Sequence, residues 1–118
     1  MALQGPLNIR QALRYGGHVQ EETGTITVSG GTGNATTTTA FNGQRALQII
    51  VSPPSVASTD SFTIQIERAT SGLVMKDPGQ NRGVYVSMTE FILREAIKIT
   101  ITSASKDGDY TYSIEYLP

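Results

Sequence analysis

The chain has 118 residues, nine Lys and Arg against ten Asp and Glu, and a formal net charge of −1 at pH 7. A chain of this length forms one domain with a sizeable core, and its near-neutral charge argues against nucleic acid or an anionic membrane as a partner. With no cysteine and a single histidine, His18, it lacks the usual parts of disulfides, thiolate nucleophiles and Cys-ligated zinc. We therefore expect no metal, no cofactor and no enzyme activity.

The first 17 residues form a segment of their own, which we call the arm, because Gly16-Gly17 detach it from the first predicted strand. Asn8 suits the N-cap of a short helix over 9–15, and no Asp or Glu precedes Glu21, so the arm is basic. It either folds back over a sheet edge or docks on a neighbouring subunit. Docking makes these arm residues the candidates for partner binding: Leu3, Leu7, Ile9, Arg10, Leu13, Arg14 and Tyr15.

The beginning of the chain also bears on its location. Its first six residues lack the basic start and apolar run of a secretory signal peptide. No window of the sequence approaches the ~20 apolar residues of a membrane span. We expect a chain that is made in a cytoplasm and has no membrane partner.

Residues 18–118 predict one all-β domain, a single antiparallel β-sandwich of the jelly-roll kind with seven or eight strands. Short alternating segments are divided by Gly, Pro, Asn, Asp and Ser at the spacing typical of such folds. The clearest is 62–67, in which Phe62, Ile64 and Ile66 share one face and polar residues the other. In chain order the predicted strands are 25–29, 37–41, 46–52, 62–67, 73–76, 83–88, 97–102 and 110–116.

Local turn and cap signals predict how some of these segments connect. Asp107-Gly108 suits a tight turn that joins the last two predicted strands in a hairpin. Pro78-Gly79 suits a type II turn that joins the fifth and sixth predicted strands in another. Ser87 and Glu90 have the spacing of a capping box, which predicts a short helix over 91–95.

The tyrosines of the last predicted strand have two interpretations. Tyr110, Tyr112 and Tyr116 share a face with Ile114, whereas the opposite face is polar. The buried side of such a strand is normally the apolar one, so we predict that the tyrosines belong to the core. The alternative is a platform on which sugar rings stack.

A sandwich with an arm, a Ser/Thr-rich surface and no catalytic constellation resembles small phage virion proteins, especially those of the head-decoration or cement class. The resemblance covers the overall pattern of the chain. It implies a non-enzymatic structural protein that binds neighbouring capsid subunits through its arm and loops. It further implies the major capsid protein or another virion protein as partner, a homo-oligomer, and a location in the virion after synthesis in the host cytoplasm.

The last third of the chain resembles jelly-roll modules of the prepeptidase C-terminal and carbohydrate-binding kind. This resemblance rests on 97–102 followed by the run from Asp107 to Ile114. It implies the alternative function, a carbohydrate- or cell-surface-binding module of a phage tail or fibre. The ligand-binding residues would then be Asn81, Arg82 and Tyr85.

Overall fold

The computed structural model describes residues 19–55, 60–87 and 91–118, and these form an all-β sandwich of two antiparallel sheets. The fold class predicted from the sequence is therefore confirmed. The arm and the helix predicted within it lie outside the described residues. Nine strands occupy the described part of the chain: β1 (Gln20–Val28), β2 (Gly33–Thr36), β3 (Gln44–Ser52), β4 (Ser61–Arg68), β5 (Val74–Arg82), β6 (Tyr85–Ser87), β7 (Phe91–Leu93), β8 (Ile97–Thr102) and β9 (Gly108–Leu117).

The strands divide between two sheets. Sheet I has the order β1-β9-β3, and both β6 and β7 pair with the far edge of β3. Sheet II has the order β2-β8-β4-β5. Consecutive strands often change sheet, so most pairings join residues that are distant in the sequence.

Alternating side chains of both sheets meet in one core. Phe62, Ile64 and Ile66 of β4 are fully buried, as their spacing predicts. Tyr110, Tyr112 and Tyr116 of β9 are buried as well, which confirms that the tyrosine face belongs to the core. The rings of Tyr110 and Tyr116 pack edge-on against Phe62 and Phe41, respectively. The largest fully buried side chains are Tyr110, Phe62, Ile26, Ile49, Ile64, Ile66, Leu93, Ile97, Ile99, Ile101, Ile114 and Val51.

The predicted hairpin of the last two strands is wrong. β8 lies in sheet II between β2 and β4, whereas β9 lies in sheet I between β1 and β3. Residues 103–107 therefore form a crossover between the sheets, in which Ser103 has a φ of 51°. Both strands alternate polar and apolar residues because each turns one face to the shared core.

The second predicted hairpin is also wrong, because 74–82 form one continuous strand, β5, at the edge of sheet II. Proline is tolerated in an edge strand, where the missing N–H costs no ladder bond. Gly79, with a φ of 78°, lies where the register with β4 shifts between Ile64 and Ile66. Pro78-Gly79 thus mark an edge irregularity, and β6 pairs with β3 in the other sheet.

Two further predictions fail locally. The helix predicted over 91–95 is replaced by β7, whose three residues pair with 44–46 of β3 and supply the buried Leu93. The strand predicted over 37–41 is not formed, and β2 ends at Thr36. There the Thr37 amide donates to the Ile97 carbonyl at 2.9 Å, and the Thr37 hydroxyl accepts a hydrogen bond from the Ile97 amide at 3.0 Å.

Candidate functional site

The carboxylate of Glu22 on β1 is buried, with 8% of the residue exposed, and holds the segment that follows β2. It accepts hydrogen bonds from the backbone amides of Thr38 and Thr39, both at 2.9 Å, and from the Tyr112 hydroxyl at 2.8 Å. Burial acts to raise the pKa of Glu22, but the hydrogen bonds from Thr39, Tyr112 and Thr38 outweigh it and keep the pKa below its ordinary value. Glu22 is therefore a structural anion.

Tyr112 donates to this carboxylate from a ring that covers Gly24 of β1. The two residues are direct cross-strand neighbours, and a Cβ at position 24 would collide with the ring. Burial, followed by the contact with Glu22, raises the pKa of Tyr112 to about 12. The ring of Tyr112 can pack directly on the backbone of Gly24 because glycine has no side chain to obstruct it.

Asp107 holds the turn between β1 and β2. Its two carboxylate oxygens accept hydrogen bonds from the backbone amides of Gly30 and Gly31, each at 2.9 Å. Gly31 also accepts a bond from the Ala104 amide at 3.0 Å. The two glycine amides of this turn are therefore bound by a carboxylate of the chain itself.

Tyr110 fixes the same crossover from the other side. Its hydroxyl donates to the Lys106 carbonyl, four residues upstream, at 2.8 Å. This is the arrangement of a tyrosine corner, which recurs in Greek-key sandwiches. Burial, and then the nearby carboxylates of Asp60 and Asp107, raise the pKa of Tyr110.

A third acidic side chain, Glu95, has the same kind of role at the turn after β4. One of its oxygens accepts bonds from the amides of Thr70 and Ser71, at 2.6 and 2.8 Å. The bond from Ser71 is the main reason why the pKa of this carboxyl lies below its ordinary value.

The outer face of sheet I carries a run of uncharged side chains on three neighbouring strands. We call six of its residues the outer band; they come from β1, β9 and β3 and are Thr23, Thr25, Ile50, Ser52, Thr111 and Ser113. With Gly24 and Tyr112 they line a concavity of about 290 Å³.

The register makes the outer band two straight rows. One row runs from Thr23 through Ser113 and Ile50 to Val86 of β6, which is 48% exposed. The other row runs parallel to it, from Thr25 of β1 across β9 to β3. Hydroxyl side chains therefore lie on β1 and β9, and the aliphatic side chains of Ile50 and Val86 lie on β3 and β6.

An acidic row borders the band toward the start of β1. Glu21 and Glu115 are direct cross-strand neighbours on the outer face. Ser113 Oγ donates to Glu21 at 2.6 Å, and Gln48 Nε2 donates to Glu115 at 3.4 Å. Like charges in this position repel each other.

The structure does not bring the predicted sugar-binding residues into one open site. Asn81 and Arg82 end β5 in sheet II, whereas Tyr85 belongs to β6 in sheet I. The Asn81 amide donates to the Gly83 carbonyl at 2.9 Å. Arg82 is exposed, but Tyr85 is only 6% exposed, so its ring lies in the core and offers no stacking surface.

The partner-binding residues predicted in the arm all lie outside the described residues. The outer band was not predicted as a site, because alternating Thr and Ser form no chemical motif. The available signal was the outward position of Thr111, Ser113 and Glu115 opposite the buried tyrosines. This signal does not predict the strand order, which places β1 and β3 on either side of β9.

Residues 19–55, 60–87 and 91–118 contain neither a cluster of metal ligands nor a membrane-spanning helix. Within these ranges no three His, Asp or Glu side chains are grouped as metal ligands would be. No helix there has the length and apolar character needed to cross a membrane.

The fold defines the chain as a β-sandwich protein, and comparison with known proteins adds little to this. No protein family and no curated protein matches the chain. A solved structure that is similar to it is the Drosophila NLP-core, described in terms of pentamer formation and histone binding. That similarity covers 84% of this chain and 95% of the other, at 13% identity and a TM-score of 0.44. Similarity at this level carries no argument about what the present chain binds.

Proposed function

We propose that the chain is a non-enzymatic structural protein of a phage particle, a decoration or cement protein that binds neighbouring subunits through its arm and loops. The observation that carries the proposal is the outer band, a concave surface of hydroxyl and methyl groups that is bordered by the acidic row. A protein interface commonly has such an uncharged centre and a polar rim.

An exposed apolar side chain extends this surface beyond the outer band. Val86 of β6 lies next to Ile50 on the outer face and is 48% exposed. Contiguous exposed apolar groups mark interaction surfaces more often than isolated ones do.

The roles of the acidic side chains support binding over catalysis. Glu22, Asp107 and Glu95 each accept hydrogen bonds from two backbone amides and so hold a loop in place. A carboxylate that is engaged in this way is a poor general base, because its lone pairs are occupied. The loops that these residues hold keep a fixed shape for a partner.

Many copies on one particle make modest contacts sufficient. Each chain on a symmetric shell repeats the same contact, and linked contacts add in free energy. The partner in this proposal is the major capsid protein or another virion protein, with a second copy of the chain as a further neighbour.

The proposal is tested on particles of the source phage. We expect mass spectrometry of gradient-purified virions to find the chain in many copies per particle. Purified chain should rebind particles that have been stripped of it, and a chain without residues 1–17 should keep the urea unfolding midpoint of the sandwich but lose particle binding. Asp77→Lys, on the exposed edge of sheet II, serves as a control that keeps binding.

Absence of the chain from purified virions would refute the proposal. Full decoration by the truncated chain would refute the role of the arm. Binding to a glycan array that is lost with Arg82→Ala, in the absence of particle binding, would instead favour the carbohydrate-binding alternative.

A further inference from the structure

We propose that the arm of one copy docks on the outer face of sheet I of a second copy, with its arginines at the acidic row and its apolar residues on the outer band. The inference rests on the proposed function and deepens it by naming the surface that receives the arm.

Charge complementarity is the first argument. Glu21 and Glu115 stand directly opposite each other on the outer face, so two negative charges are adjacent there. Cations placed over this pair relieve the repulsion between the two carboxylates. The arm supplies Arg10 and Arg14 and contains no acidic residue.

The second argument is the order of polar and apolar groups. On the face, the acidic row lies two residues along each strand from the row that holds Ile50 and Val86, a separation of about 7 Å. In the arm, each arginine directly follows or precedes apolar residues, as in Ile9-Arg10 and Leu13-Arg14. An arginine on the acidic row therefore leaves its apolar neighbours within reach of the outer band.

The length of the arm is the third argument. Seventeen residues span up to roughly 55 Å when extended, whereas the row from β1 to β6 crosses three strand spacings, about 14 Å. The arm is long enough to leave its own sandwich and still cross the face of another.

The direction of β1 favours a second copy over the chain's own face. β1 runs from Gln20 past Glu21 toward Thr23 and Thr25, so the chain enters the sheet at the end that carries the acidic row and runs from there toward the outer band. An arm that covered its own band would have to reverse over β1, whereas the face of a neighbouring copy requires no reversal. The contact is of the head-to-tail type, in which arm and face are different surfaces.

A charge swap in the full-length chain tests the inference. Sedimentation equilibrium should show that the wild-type chain self-associates. Arg10→Glu/Arg14→Glu and Glu21→Lys/Glu115→Lys should each weaken self-association about tenfold or more. The variant that carries all four substitutions should regain it, as should an equimolar mixture of the two double variants. Asp77→Lys is the control that keeps wild-type association.

Three outcomes would overturn the inference. The first is a wild-type chain that stays monomeric up to millimolar concentration. The second is a fourfold variant that associates no better than the double variants. The third is a fourfold variant that regains thermal stability without any gain in mass, which would place the arm on its own copy. The proposed function would survive all three if particle binding were kept, and its own failure would appear as absence from virions.

Discussion

The carboxylate of Glu22 offers the sharpest test of how polar groups stabilise this sandwich. It accepts three hydrogen bonds, two from backbone amides and one from Tyr112, and the residue is almost fully buried. In Glu22→Gln the side-chain NH₂ replaces one acceptor oxygen and faces a backbone amide, which can only donate. The variant keeps the size of the side chain while it removes the charge.

The size of the effect follows from these contacts. A hydrogen bond to a charged group contributes about 1.5–3 kcal/mol. Glu22→Gln loses at least the bond from one amide, and the remaining bonds weaken because the acceptor is no longer charged. The free energy of unfolding should therefore fall by about 3 kcal/mol, out of a typical total of roughly 5–15 kcal/mol. With an m-value of about 2 kcal/mol/M in urea, the unfolding midpoint falls by about 1.5 M.

Two further variants make the test specific. Tyr112→Phe keeps the ring on Gly24 and removes one donor, so we expect a loss of about 1.5 kcal/mol. Glu21→Gln makes the same chemical change one residue away on the outer face, where it should change stability by less than about 0.5 kcal/mol. Urea unfolding at pH 7, followed by circular dichroism at low protein concentration, measures all three.

We also expect the stability difference between the wild type and Glu22→Gln to depend on pH. Because the pKa of Glu22 is lower in the folded chain than in the unfolded one, its contribution is complete above the unfolded value of about 4.5. The contribution is lost as the pH falls through the lower, folded pKa. The stability difference between wild type and Glu22→Gln should therefore be constant from pH 7 to pH 5 and shrink in more acidic solution. A Glu22→Gln chain with wild-type stability, or with an undiminished loss of stability in acid, would refute the assignment.

Three other predictions concern the supports around this carboxylate and the crossover. Tyr110→Phe removes the bond to the Lys106 carbonyl and should lower stability by about 1 kcal/mol in urea unfolding. Gly24→Ala drives a Cβ into the ring of Tyr112 and should cost about 1–3 kcal/mol, measured as a fall in the thermal midpoint. Asp107→Ala should speed hydrogen exchange at the two glycine amides of the β1–β2 turn about tenfold or more, and unchanged protection there would contradict its role.

Elements with strict alternation were predictable from the sequence. The run 62–67 shows a period of two, and β4 buries the expected residues. The burial of the tyrosine face of β9 was predictable for the same reason. An alternating pattern indicates which face of a strand is buried, but it does not indicate which strand pairs with it. Burial on one face is a local property, so local sequence carries it.

Pairing partners were not predictable, because they depend on distant residues. Pro78-Gly79 satisfies the rules for a turn, yet the segment extends along β4, where an edge position tolerates proline. Phe91–Leu93 satisfies the rules for a first helical turn, yet the edge of β3 offers unpaired backbone groups that three residues can meet. The outer band depends on the same distant pairing, since β1, β9 and β3 lie side by side only in the folded chain.

The crossover at 103–107 shows why a turn signal alone cannot specify a hairpin. Asp107-Gly108 favours a tight turn, but the Asp107 carboxylate finds its donors 76 and 77 residues earlier, at Gly31 and Gly30. The Ser105 amide donates to the Ser61 carbonyl, and the Tyr110 hydroxyl holds the Lys106 carbonyl. A two-stranded hairpin would satisfy the strand ladder alone, whereas the crossover satisfies these polar groups and also turns both apolar faces to one core. The crossover is favoured because it satisfies more hydrogen-bonding groups than a hairpin would. Most of these groups pair with residues distant in the sequence, so local propensity does not predict the pairing.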